Sequence, residues 1–317
     1  MPVNTTPSPP GAGWTGPQGP FAPLAASVMV AQSHHNGSLM TQHQPTAAAE
    51  GFTTRRHGKI LIVTLDRPKA NAINNAMSRA MYRVFDGFQN DPDLVVAILA
   101  SANARIFSGG WDLKEVANAE WQPGDDLDPE KGPGPGGFGG LAENWTLDKP
   151  VIAAVNGAAV GGGFELALAC DIIIASDDTF FQLPELMRGF LPDVGGMQRL
   201  HKLIPPKAAT EMLLTGRRVG VEEAQAWGLV AKVVPKSELL STCITVAETI
   251  AEGAPLAIQA LKAVTRRNAS LSVEESFARA VPGQSGIPVY EQMLSSEDFL
   301  EGPRAFAEKR KPNWTGR

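Results

Sequence analysis

Between Pro150 and Gly196 the chain reads PVIAAVNGAAVGGGFELALACDIIIASDDTFFQLPELMRGFLPDVGG, and no other stretch restricts the fold as much. Val151 to Val155 is a short apolar run between Pro150 and Asn156-Gly157, the pattern of a buried strand ending in a tight turn. Gly161-Gly162-Gly163 follows, and Phe164 to Cys170 has the composition of a buried helix. A strand, a glycine turn and a helix N-terminus gather free backbone N–H groups at one point, where they can hold developing negative charge. Two carboxylates belong to this arrangement. Glu165 lies just inside the helix in an otherwise apolar segment, and Glu185 follows Leu183-Pro184 after the next expected strand, Ile172 to Ala175. Apolar surroundings push a carboxyl pKa upward, as acid–base chemistry near neutral pH requires. A third acid, Asp193, precedes Gly195-Gly196.

The rest of the folded part supports a sheet with helices around it. Lys59 to Asp66 and Leu94 to Ala100 read as strands, and Asn75 to Asn90 has helical spacing with Met77, Met81, Val84, Phe85 and Phe88 as its core stripe. Ile106 to Lys114 makes a second glycine turn, through Gly109-Gly110, into a helix. Pro123 to Gly140 is a Gly/Pro/Asp-rich loop of a length that suits a substrate-adjacent segment. Strands alternating with helices predict an α/β domain with a largely parallel sheet. Beyond Gly196 the pattern turns helical, clearest over Ala208 to Leu214, Val221 to Trp227, Ser237 to Ala251 and Leu256 to Arg267. Two short helices are expected around Ser295-Ser296. Residues 1–50 differ in kind: they hold no Lys or Arg, are rich in Pro, Gly, Ala, Ser, Thr and Gln, and read as a disordered extension without the basic region of a targeting signal.

Several function classes drop out. The chain of 317 residues has a formal net charge of -5, which argues against general nucleic-acid binding, and no apolar run suits a membrane span. No G-x-G-x-x-G follows a strand, and no Gly-Lys-Ser/Thr P-loop, HExxH or G-x-S-x-G elbow is present. Outside the extension only His57 and His201 remain, and Cys170 and Cys243 lie far apart in apolar segments, so neither a metal set nor a disulfide framework is expected. Two buried free thiols suit a reducing, cytoplasmic setting. What remains is acid–base chemistry on a substrate that brings its own activation.

Asn71-Ala72, FSGGWDLKE (Phe107 to Glu115), KPVIAAVNGAAVGGGFELALACD (Lys149 to Asp171), the LPE at Glu185, PDVGG (Pro192 to Gly196), TGRR (Thr215 to Arg218) and FAEKRKP (Phe306 to Pro312) occur in one order. Together they resemble the crotonase superfamily of enoyl-CoA hydratases and isomerases, from about Phe52 to the C-terminus. The resemblance implies a crotonase-like spiral of ββα repeats over residues 51–250 and a helical, trimer-forming part over 251–317. It further implies a homotrimer or dimer of trimers acting on an acyl-CoA thioester, with coenzyme A entering as part of the substrate and no permanently bound cofactor.

By the same resemblance the backbone N–H groups of Trp111 and Gly162 match the oxyanion hole, and Glu165 and Glu185 match the two glutamates of the hydratase branch. Glu165 then activates the water that attacks the β-carbon, and Glu185 protonates the α-carbon. Coenzyme A and substrate contacts fall on Lys69, Ala70, Ala72, Gly109, Gly110, Trp111, Asp112 and Gly161, with Lys309 reaching in from its own or a neighbouring subunit. Asp193 stands at the spacing of a second acid in dienoyl-CoA isomerases, so isomerase remains an alternative, as does a thioester hydrolase. GWDLK, the GGFGGL loop (Gly136 to Leu141), Trp227-Gly228 and the last residues resemble a hydratase branch whose acyl group carries a trimethylammonium. That implies a cation–π role for Trp111, with Trp145 and Trp121 as further aromatic neighbours.

Overall fold

A computed structural model describes residues 51–118, 128 and 130–317; Trp121 and most of the expected loop before Glu130 lie outside the described residues. The chain opens with the hairpin β1 (Phe52–His57) and β2 (Ile60–Leu65), then α1 (Asn75–Asn90). Next come β3 (Val96–Ser101), β4 (Ile106–Ser108) and the short α2 (Leu113–Asn118). The following unit is β5 (Val151–Val155), β6 (Ala158–Val160) and α3 (Gly162–Ala169), and after it come β7 (Ile172–Ser176), β8 (Phe180–Gln182) and a single 3-10 turn over Glu185–Arg188. Three times in succession the chain lays down a strand of one sheet, a short strand of another, and a helix or helical turn. These are the turns of a spiral.

The larger sheet has the order β1-β2-β3-β5-β7-β10, with β10 at Lys232–Val234, and is parallel apart from the β1/β2 pair. The smaller has the order β4-β6-β8-β9, with β9 at Val219–Gly220, and its β8/β9 pair is antiparallel. All five residues of β5 are buried because both faces of the large sheet are covered. Val151, Ala153 and Val155 join the main core with Phe164, Leu166 and Phe181. Ile152 and Ala154, one residue out of phase, face Cys243, Ala247 and Ala251 of α7 (Leu239–Ala251) on the other side. The apolar run read as one buried strand therefore serves two cores.

The remaining helices are α4 (Gly196–Leu203), α5 (Pro206–Thr215), α6 (Val221–Ala226), α8 (Pro255–Asn268), α9 (Val273–Arg279), α10 (Pro288–Leu294) and α11 (Glu297–Ala307). α8 docks on the core through polar ties: Lys262 Nζ lies 2.7 Å from Asp171 Oδ2, and Arg266 Nη2 2.6 Å from Asp148 Oδ1. The C-terminal residues fold back, with Asp298 accepting from the Thr315 and Gly316 N–H groups and the Trp314 indole donating to the Glu252 carbonyl at 2.7 Å.

Three differences from the sequence reading have simple causes. β6 and β8 were not expected, because three-residue strands carry little pattern of their own and take their state from each other. The central helix begins at Gly162 rather than Phe164, because Gly161 supplies the cap with φ of +57°, a conformation that favours glycine. α9 also escaped notice, although Ser272 and Glu275 form a capping box that is legible as S-V-E-E.

Candidate active site

The two glycine turns meet. Gly110 has φ of +87°, and a Cβ built on it would stand 2.7 Å from the Gly162 nitrogen, so the close approach requires glycine. The Ile73 N–H donates to the Gly110 carbonyl (2.8 Å) and the Asp112 N–H to the Ile73 carbonyl (3.0 Å). This bridge uses the residues on either side of Trp111 and turns the Trp111 N–H away from Ile73. Gly162 is the first residue of α3, so its N–H has no partner within the helix. Two donors are thus brought beside each other at the positive end of a buried helix.

One turn along α3 stands Glu165, 1% exposed. Its Oε1 accepts from the Gly196 N–H at 2.7 Å, at the start of α4. Burial pushes its carboxyl up to about 8, with Glu185 and Asp193 adding to the rise and the Gly196 N–H opposing it. Glu185 reaches the glycine turn as well, since its Oε1 lies 2.7 Å from where a Cβ on Gly161 would be. Burial raises its pKa as well, against the pull of its own backbone N–H and Arg188. The Glu185 Oε2 is buried without a hydrogen-bond partner among the described residues, as a group that must exchange protons with a ligand requires. Asp193 is solvent-exposed, yet its charge acts on both glutamates.

The loop from Arg67 to Ala72 lies along the Gly109-Gly110 turn. The Gly109 N–H donates to the Ala70 carbonyl at 2.8 Å. Asn71, buried and at φ of +47°, fastens the loop: its Oδ1 accepts from the Arg67 N–H, and its Nδ2 donates to Ser101 Oγ and the Phe107 carbonyl. Arg67 donates to the Ala72 carbonyl and pairs with Asp112 at 2.7 Å. Burial opposes ionisation of Asp112, but this pairing holds its carboxyl below the usual range. Lys69, at φ of +75°, projects into solvent beside the turn. The expected Lys69, Ala70, Ala72, Gly109, Gly110, Trp111, Asp112 and Gly161 therefore form one neighbourhood with both glutamates. Lys309 follows α11 at φ of +53° and is exposed.

Sequence reasoning missed Phe138 and Arg199. The GGFGGL loop wedges between α1 and α3: a Cβ on Gly140 would collide with the Tyr82 nitrogen, and one on Gly139 would meet Leu166 at 2.7 Å. The Gly139 N–H donates to Ser78 Oγ on α1. So held, the Phe138 ring lies against Gly162 and 4.8 Å from the Trp111 indole, tilted by 52°. Four glycines around one phenylalanine were the available signal. Arg199 on α4 donates to the Ala142 carbonyl at 2.5 Å, and Glu165 is among the charges that act on it.

Residues 55–317 match the enoyl-CoA hydratase/isomerase family. The chain belongs to this family. Among curated relatives, the family member is 49% identical over 269 residues to the carnitinyl-CoA dehydratases of Escherichia coli K12 and Citrobacter koseri, spanning 85% of this chain and all of each relative. Among solved structures, enoyl-CoA hydratase from Mycobacterium tuberculosis H37Rv superposes with a TM-score of 0.74 at 36% identity, covering 84% of this chain and all of the other. The enoyl-CoA hydratase from Bacillus anthracis gives 0.73 at 30% identity over the same shares. The fold is therefore the crotonase-like spiral that the motifs implied. Among the described residues no cluster of three or more His, Cys, Asp or Glu could hold a metal ion, and no helix is long and apolar enough to cross a membrane.

Proposed function

We propose that the protein is a hydro-lyase of the enoyl-CoA hydratase type, adding or removing water across the 2,3 bond of an acyl-CoA, with carnitinyl-CoA and crotonobetainyl-CoA as the pair. The observation that carries this reading is the placement of two mutually interacting carboxyl groups with raised pKa, Glu185 against Gly161 and Glu165 one turn along the helix that Gly162 begins. The thioester oxygen is held by the Trp111 and Gly162 N–H groups, which stabilise the enolate formed when a nucleophile adds to the β-carbon. Glu165 takes a proton from water as it attacks that carbon, and Glu185 delivers a proton to the α-carbon. In dehydration the roles reverse. Coenzyme A lies over the Arg67–Ala72 loop with Lys69 at a phosphate, and Lys309 of a neighbouring subunit completes the site in a trimer or dimer of trimers. A cytoplasmic location belongs to the same reading and agrees with the free thiols Cys170 and Cys243.

The test follows the enoyl-thioester ultraviolet absorbance with crotonyl-CoA and crotonobetainyl-CoA side by side, products being identified by mass. Glu165→Gln and Glu185→Gln should each lower hydration by roughly a hundred- to ten-thousandfold. Free acid and coenzyme A as products would point to a hydrolase instead. A shifted double bond without added water would favour the isomerase reading, for which the influence of Asp193 on both glutamates speaks.

A further inference from the structure

We infer that the indole of Trp111, set in place by Phe138, is the surface that recognises a quaternary ammonium at the far end of the acyl group. This inference rests on the hydro-lyase reading above. The residue whose N–H holds the thioester oxygen fixes the near end of the acyl chain at its own backbone. On the hydro-lyase reading, a four-carbon chain held there would pass the glutamates with its second and third carbons and run on toward that residue's side chain. Among the rings of the described residues around the site, this indole is the one suitably disposed. Trp145 is 61% exposed and its ring is already covered by the Arg199 guanidinium, 5.7 Å from its centre. Phe138 is 1% exposed and offers little surface to a ligand. Trp111 is half-buried, packing on Phe138 while leaving part of its indole uncovered.

The groups nearby are acidic, and Asp193, with Glu165 in the ionised form that takes the proton from water, supplies the sign a cation needs. Glu165, Glu185 and Asp193 lie close enough to act on one another, whereas Arg199 is committed to the Ala142 carbonyl and the Trp145 ring. A trimethylammonium is weakly hydrated and spreads its charge over methyl groups, so an aromatic face binds it well once water is excluded. Phe138 is the positioning residue. Locked between α1 and α3 by its glycines, it spans from Gly162 to the indole, so that oxyanion donor and aromatic face are set by one rigid loop.

The test compares kcat/KM for hydration of crotonobetainyl-CoA with that for 5,5-dimethylhex-2-enoyl-CoA, the same shape with carbon in place of the charged nitrogen. The wild-type protein should favour the cation by roughly five- to thirtyfold. Trp111→Leu should abolish the preference, Trp111→Phe should keep part of it, and Phe138→Leu should reduce it. Progressively fluorinated tryptophan at position 111 should lower the preference in steps, which a volume-filling role would not do. Equal rates on the two substrates in the wild-type protein, or a preference unchanged in Trp111→Leu, overturns the inference and leaves the hydro-lyase reading standing. Absence of water addition to both of these and to crotonyl-CoA removes that reading and the inference with it.

Discussion

Glu165 is held by the folded protein in a state the unfolded chain does not favour. Its carboxyl sits at about 8, against an ordinary value of 4.5, because burial penalises the charge. The folded state therefore binds this proton more tightly than the unfolded state, and stability falls as pH rises from 4.5 through 8. Glu165→Gln should consequently melt at a higher temperature than wild type at pH 8 to 9, by a gain on the order of a few kcal/mol that vanishes toward pH 5. Activity should show the opposite face of the same proton: kcat/KM for hydration should climb with pH toward an apparent pKa near 8, as Glu165 must be ionised to take a proton from water. A thermal melt series and a pH–rate profile check the two halves separately. Gly110 gives a second residue-scale expectation. Gly110→Ala would press a methyl group onto the Gly162 nitrogen and spread the two donors, lowering kcat on the order of a hundredfold while the glutamates stay in place.

At the scale of elements, what the sequence reveals depends on how local the cause is. α1 was readable to the residue because its stripe of Met77, Met81, Phe85 and Phe88 lies within the helix itself. The apolar runs of β5 and β7 were readable for the same reason. Glu165 and Glu185 could be picked out because each breaks an apolar segment. Phe138 was marked only by its four flanking glycines, since its importance arises from contact with Gly162 and Trp111, neither of them near it in sequence. Asp112 illustrates the same limit: the motif placed it in the substrate region, and the structure adds that its carboxylate fastens the loop through Arg67. The Arg67–Ala72 loop depends most on Asn71. Asn71→Ala would strip partners from Arg67, Ser101 and Phe107 and lose a residue type suited to positive φ, costing about 2–4 kcal/mol. A lower melting temperature together with a raised KM for the thioester is the expected result.

At the scale of the whole molecule, several large apolar side chains among the described residues stand in solvent. Met187, Phe190, Leu191 and Leu203 are solvent-exposed on the segments that follow Glu185, and Phe277 and Phe306 stand at 77% and 87% exposure in the C-terminal helices. Contact between copies of the chain would cover them, and sedimentation at micromolar concentration should give three or six protomers rather than one. A monomer at that concentration would count against both the trimer and the assignment of Lys309 to a neighbour's site. Most of the remaining architecture follows from the spiral, in which each turn hands the chain from one sheet to the other. At its centre, α3 carries Gly162 and Glu165 a single turn apart on one rigid rod. A shift of that rod moves anion grip and base together, so neither can be retuned alone by bending the scaffold. Divergence toward new acyl groups, in nature or in the laboratory, is therefore channelled into the walls contributed by other segments.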